Sequence, residues 1–284
     1  MYWDIPASSL AGMENSNNMS KTIALVLSSL VMICGTAFAD EFYFVSPGTT
    51  TWNGVYVNPY QANDNTQPLN NPLTVYCDDW NTDFSGNPTW NANVYAITAG
   101  NVSYFKYGNT VSNYNLTLSN HTLAYHTDTT PTAFTRYLEA AYLDQQWEAE
   151  LMSNDSSAIK TMRQKELAAA VWTLFVDSSH VAGLISAINA SSDTIGATTY
   201  YYADDVSSYL AQAEAAVLPN GTFSGAGWDV IVPVGNNSNG SPMQEFLVHG
   251  FSGQTSVPEP SALILFGSIL GSLGLTKFRK KRQA

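Results

Sequence analysis

Basic residues are scarce in this chain. Its 284 residues include 11 Lys or Arg against 23 Asp or Glu, and charged residues make up only 12% of the whole, about half the usual share for a soluble domain. That excludes a polybasic nucleic-acid binder, a charge-laced coiled coil and a disordered acidic tail. The few cations are also unevenly placed: Lys277, Arg279, Lys280, Lys281 and Arg282 crowd the last eight positions, and Lys21 stands near the start. Between Asp40 and Ser256 only Lys106, Arg136, Lys160, Arg163 and Lys165 stand against 20 Asp or Glu, a net charge of -15. Such a surface repels phosphate backbones and anionic lipid. Cysteine is scarcer still, with only Cys34 and Cys77, so no CxxC metal site exists. Neither an HExxH nor a GxSxG motif is present, no glycine-rich phosphate loop follows a strand, and the four histidines His121, His126, His180 and His249 are scattered. No catalytic residue, metal site or cofactor is expected from these patterns.

What is present first is a pair of signals at the two ends. Lys21 precedes an uncharged run from Thr22 to Ala39 that closes on Ala37-Phe38-Ala39. A cation, an apolar heart and a small-residue close are the marks of a secretory signal peptide, with cleavage expected between Ala39 and Asp40 by signal peptidase. Met19 makes a better start than Met1, because residues 1–18 are a polar preamble with no part in that order. Removal of the signal takes Cys34 with it and leaves Cys77 as a lone thiol, so no intramolecular disulfide can form.

At the other end Ser256-Val257-Pro258-Glu259-Pro260 stops regular structure, and residues 261–276 follow without a charge before Lys277 opens the basic tail. As a helix these sixteen residues are about 24 Å long. The bilayer core is about 30 Å, and the flanking Lys277 and Arg279 can close the difference by snorkelling. The cationic end stays cytoplasmic by the positive-inside rule, the orientation that an exported N-terminus also demands. The body is thus expected to span residues 40–254, and the tail residues 255–284, with its transmembrane helix at 261–276 and its basic end at 277–284.

The order Val257-Pro258-Glu259-Pro260, short apolar helix, basic end resembles the PEP-CTERM sorting signal of bacterial exopolysaccharide-associated proteins. The resemblance implies that the tail is recognised and cut near Pro258-Glu259-Pro260 by an exosortase-type membrane transpeptidase, the helix acting as a temporary single-pass anchor. It also implies a destination at the cell surface or in the extracellular, biofilm-type polysaccharide matrix, with polysaccharide as a partner. A mechanical reason accompanies it: two prolines without amide donors keep the segment extended at the membrane face.

Within the body, Glu41–Val45, Gly54–Val57, Leu73–Cys77, Trp90–Ile97 and Asn115–Leu118 read as strands, short, rich in aromatic and branched residues and bounded by Asn, Gly, Pro and Asp. From Thr132 the period changes to that of a helix running to Met152, a second helix capped at Asp155 or Ser156 carries Ile159 through Phe175, and shorter helices span Val181–Ala190 and Asp204–Val217. Strands return at Trp228–Val232 and Gln244–Val248. The expected fold class is α+β: an antiparallel β-sandwich or barrel-like domain with a helical insertion, between strands that pair across it, flanked by a signal peptide and a C-terminal transmembrane helix.

Tyr76-Cys77-Asp78 on an early strand and a helix ending Ala168-Ala169-Ala170-Val171-Trp172 are similar to the thioester domains of bacterial surface adhesins. In that family a strand cysteine is joined to a helix glutamine four residues before the tryptophan. Here Ala168 stands at that position, and the nearest glutamine, Gln164, lies about 6 Å earlier along the helix axis. Cys77 and Ala168 therefore read as a vestigial thioester position, with Cys77 a small buried hydrophobe. Asp78, Asp79 and Asp83 read as a solvated turn rather than a calcium loop. Trp52, Trp80 and Trp90 are candidates for stacking on sugar rings, against the plainer reading of core indoles. The functional expectation is a non-enzymatic surface or matrix protein. Its alternatives are a thioester-like adhesin and a secreted polysaccharide hydrolase using paired carboxylates.

Overall fold

The computed structural model describes residues 39–251 apart from 47–49, 58, 66–71, 79, 81–88, 109–115, 119–120, 124–132, 178, 218–220 and 241–242. Six strands close into an antiparallel barrel: β1 (Asp40–Ser46), β4 (Tyr60–Asp64), β5 (Leu73–Cys77), β6 (Thr89–Ala96), β11 (Trp228–Pro233) and β12 (Phe246–His249), in the order β1-β4-β5-β12-β11-β6. Short hairpins β2–β3 (Thr51–Trp52, Val55–Tyr56), β7–β8 (Leu116–Leu118, His121–Leu123) and β9–β10 (Ser192–Ile195, Thr198–Tyr201) decorate it. Between β8 and β11 lie α1 (Ala133–Met152), α2 (Ser157–Phe175), α3 (Val181–Ala190) and α4 (Tyr202–Val217). The fold is α+β, and the sheet is a closed barrel rather than a sandwich. β6 pairs with β11 and β5 with β12, so the helices are an insertion whose flanking strands meet again across it.

Closure removes every edge from the barrel's hydrogen-bonding ladder. The interior is filled by the period-2 positions of each strand, Phe42 and Phe44 of β1 beside Trp90 of β6 and Phe246 of β12, with Ala62 and Ala92 as their small partners. Phe44 stands 4.7 Å from Trp90 and edge-on to Phe246 at 5.4 Å between ring centroids. Alternation of large and small inward residues is how a narrow barrel packs without voids.

β5, β11 and β12 are buried on both faces. Val75, Ile231 and Phe246 point inward, while Tyr76, Val230 and Leu247 point out into a second core shared with the helices. That second core explains the apolar character of α2, whose stretch from Glu166 to Phe175 is buried on all sides. Ala168, Ala169 and Ala170 let neighbouring elements approach it closely. Ser156 starts the helix by accepting the amide of Ile159 at 3.4 Å, a side-chain N-cap.

The hairpin turn between β2 and β3 and the approach to β11 each need residues that tolerate a left-handed backbone. The β2–β3 turn is Asn53-Gly54 with φ of 50° and 82°, the pair that a two-residue hairpin turn favours. Gly225, at φ 69°, enters β11 where an added Cβ would lie 2.5 Å from Leu138 Cδ2.

Candidate functional site

Cys77 ends β5 and its side chain belongs to the barrel interior, a buried thiol in no disulfide. Ala168 lies on α2 in the other core, between barrel and helices. The two elements do touch: the Trp172 indole N–H donates to the Cys77 carbonyl at 3.1 Å, and Trp172 packs against Trp80 and Trp52. The helix is therefore docked on the cysteine strand through the peptide backbone, with the thiol facing into the barrel. Gln164 meets Thr50, whose hydroxyl donates to its Oε1 at 3.4 Å. Trp52 and Trp90 are core indoles, and Trp80 is half-buried.

Asp78, the next residue, is completely buried; it is no solvated turn residue. It hydrogen-bonds Glu245, itself without exposed surface. Two carboxyl groups in such contact need a proton between them. Glu245 also accepts the Lys106 amide at 2.7 Å and the Tyr137 hydroxyl, and Tyr137 in turn accepts the Tyr107 amide at 3.1 Å. Burial pushes the Glu245 carboxyl up to about 7, against the opposing pull of these donors. Beside them the buried guanidinium of Arg136 donates to the carbonyls of Leu174 and Tyr107, both at 3.4 Å. This network joins the end of β5, the 102–108 turn, α1, α2 and the approach to β12. Closed to solvent at both carboxyl groups, it is a clamp between barrel and helices.

An accessible cleft lies on the other side of α1. A cleft of about 480 Å³ runs between the last two turns of α1 and the outer face of β5, lined by Gln145, Glu148, Ala149, Leu151 and Met152 of the helix and Thr74 and Tyr76 of the strand. Residues 145, 148, 149 and 152 share one stripe of α1 by helical spacing. Glu148 is partly exposed, and its Oε2 lies 3.1 Å from His249 Nδ1. Because a carboxylate only accepts, the ring nitrogen facing it carries the hydrogen. His249 is held in turn by stacking on Trp228, at 4.8 Å between ring centroids. One turn before Glu148, Asp144 is fully buried, and neither of its oxygens has a hydrogen-bond partner. Burial, then the charge of Glu148, raises its pKa well above the ordinary carboxylate range. The Tyr76 hydroxyl is turned toward these acids; burial first, then the charges of Asp144 and Glu148, raises its pKa as well.

A further acidic group sits where α2 meets α4. Glu166 hydrogen-bonds Asp205 and is pushed up to about 8, chiefly by burial. Asp193, close by, accepts from Tyr202 at 2.6 Å and pairs with Lys165 at 3.0 Å. Among the described residues no group of three or more His, Cys, Asp or Glu is arranged to hold a metal ion.

Comparison with known protein families, with curated proteins and with solved structures finds no match to this chain.

Of the residues expected to matter from sequence, Ala39 precedes β1 and Asp40 opens it, buried and in register with Ala92. Ala37, the sorting motif Val257, Pro258, Glu259 and Pro260, the helix 261–276 and the cluster Lys277, Arg279, Lys280, Lys281 and Arg282 lie outside the described residues. No helix among the described residues is long and apolar enough to cross a membrane. The cleft and the Asp78–Glu245 clamp were not anticipated. One signal was in the sequence: Tyr137, Ala140, Ala141 and Asp144 follow helical spacing, which sets an acid into an otherwise apolar stripe.

Proposed function

We propose that this chain is an exported, non-enzymatic protein of the bacterial surface or extracellular polysaccharide matrix. In this reading signal peptidase cuts before Asp40. Residues 261–276 then hold the chain in the inner membrane, and an exosortase-type transpeptidase recognises Val257-Pro258-Glu259-Pro260. The observation that carries it is where the closed barrel starts and ends relative to the two signals. Every barrel strand lies between Asp40 and His249, and the first ladder partner is Asp40 itself, opposite Ala92. Cleavage after Ala39 would therefore cost the barrel no strand pairing, and cleavage near Pro258 would fall beyond its last strand. A closed barrel suits life outside the cell as well, since it offers no barrel edge for pairing with neighbours.

The two alternatives meet physical obstacles in the body. A thioester needs an acyl donor facing the thiol, whereas Cys77 points into the barrel and position 168 carries a methyl group in a different core. Glycoside cleavage needs two carboxyl groups flanking the bond. Among the described residues the cleft presents one carboxyl group, that of Glu148, and the buried Asp144, Asp78 and Glu245 have no exposed surface.

Fractionating cells that produce the wild type and the Pro258→Ala, Pro260→Ala double variant tests the sorting step. The variant is expected to accumulate uncut in the membrane. Unchanged processing and location would contradict the proposal.

A further inference from the structure

Where α2 meets α4, six carboxyl groups crowd two cations. Arg163 of α2 reaches Glu150 of α1 and Asp155, both at 2.8 Å. Lys165 pairs at 3.0 Å with Asp193 of β9, which also accepts the Tyr202 hydroxyl of α4. Asp204 and Asp205 stand in the first turn of α4, and Glu166 of α2 completes the set. Both cations are therefore committed to other acids, yet Glu166 and Asp205 are in hydrogen-bonding contact across the helix interface. Two ionised carboxyl groups so placed repel, and one proton between them turns the repulsion into a bond. That proton belongs to Glu166. The residue is 1% exposed and its Oε1 has no hydrogen-bond partner, which a neutral acid tolerates better than a carboxylate does. Asp205 is partly exposed at a helix N-terminus, where an anion is favoured. The phenols of Tyr202 and Tyr209, facing the pair from α4, are raised first by burial and ionise only after the carboxyl groups.

We propose that the proton shared by Glu166 and Asp205 is a latch, which holds α4 closed on α2 and lets it open when the proton leaves. Ionised, Glu166 faces Asp205, Asp193 and Asp204 with Arg163 and Lys165 already engaged, so the repulsion falls on the interface itself. Opening uncovers the apolar face of α4, Val206, Leu210 and Ala213, and the Trp52 ring against which Tyr202 packs at 5.9 Å between centroids. The closed state is thus the acid form and the open state the alkaline one. Burial first, then Asp205, raises the Glu166 carboxyl from 4.5 to about 8 in the closed state. Between those values the closed state keeps a proton that the open state has released, so closure weakens as pH rises and levels off above about 8. Each pH unit inside the window shifts the balance about tenfold. The inference rests on this interface alone and is independent of where the protein is sorted.

Hydrogen–deuterium exchange of the full chain in detergent, at about pH 5.5 and about pH 8.5, tests it when each rate is divided by the intrinsic rate at that pH. Protection of the α4 amides should fall on the order of a hundredfold between the two. In Glu166→Gln the side-chain amide donates to Asp205 at either pH, so the fall should shrink to a small fraction of that. In Asp205→Asn the new amide donates to an ionised Glu166, which lets it lose its proton without opening, and the fall should shrink as well. Glu245 is intact in both variants, so the clamp contributes to each as it does in the wild type. The proposal is overturned if wild-type protection in α4 falls less than about tenfold, or if it falls as far in the folded variants as in the wild type.

Discussion

Replacing Glu245 by Gln should flatten the dependence of stability on pH. In the folded chain the Glu245 carboxyl is raised from 4.5 to about 7, burial being the main cause. Between those values the folded state holds a proton that the unfolded state has released, so stability is lost as pH rises through the window and levels off above about 7. At about 1.4 kcal/mol for each pH unit, the span amounts to about 3 kcal/mol. Gln can keep the Lys106 amide through its oxygen and offer its amino group to Asp78, but the Tyr137 hydroxyl loses its acceptor. That loss is about 1 kcal/mol and independent of pH. Urea unfolding followed by tryptophan fluorescence at pH 5, 6, 7 and 8 measures both terms. The wild type should lose more stability than the variant from pH 5 to 8, by about 2.5 kcal/mol because pH 5 already lies inside the window, and the variant should be the weaker of the two at pH 5. Parallel profiles for the two proteins would refute the reasoning, because they would mean that Glu245 carries the same charge folded and unfolded across this range.

Other expectations follow from the same contacts. Trp172→Phe removes the indole donor to the Cys77 carbonyl from a fully buried site and should cost about 3 kcal/mol in the same unfolding assay; a cost under about 1 kcal/mol would show that this contact does not clamp α2 to β5. In a chain that begins at Asp40, where Cys77 is the single cysteine, this residue, inside the barrel, should resist a maleimide in the native protein and take up one label after unfolding in denaturant. Rapid native labelling would contradict its inward position, and no label after unfolding would point to a thiol already bonded.

Elements whose sequence period matched their burial were legible without the structure. Glu41–Val45, rich in aromatic and branched residues, became β1, where burial alternates from Asp40 to Phe44, and the stripe from Phe134 to Leu143 became α1. The second helix was placed by its cap and apolar stripe, and begins at Ser157 behind Ser156. β4 was not legible, because Gln61, Asn63 and Asp64 are poor strand formers. It is a strand because Tyr60 and Ala62 fill the barrel and because β1 and β5 pair with it on either side, so tertiary context outweighs propensity there. The β9–β10 hairpin has little buried surface on either face and so gives no alternation to read. The clamp of Asp78 and Glu245 joins residues far apart in the chain, a pairing that no local pattern carries. The cleft depends on which face of β5 meets α1, and that is set only when the barrel closes. Cys77 was anticipated as a buried small hydrophobe, and it is one.

Intact-mass spectrometry of the protein recovered from its native cells tests the central claim most directly, since one spectrum reports both ends of the chain. An exported and sorted protein should begin at Asp40, end near Pro258-Glu259-Pro260, and show the Cys77 mass of a free thiol with no loss of ammonia. A cytoplasmic species that retains residues 19–39 and the basic tail through Arg282 would contradict it.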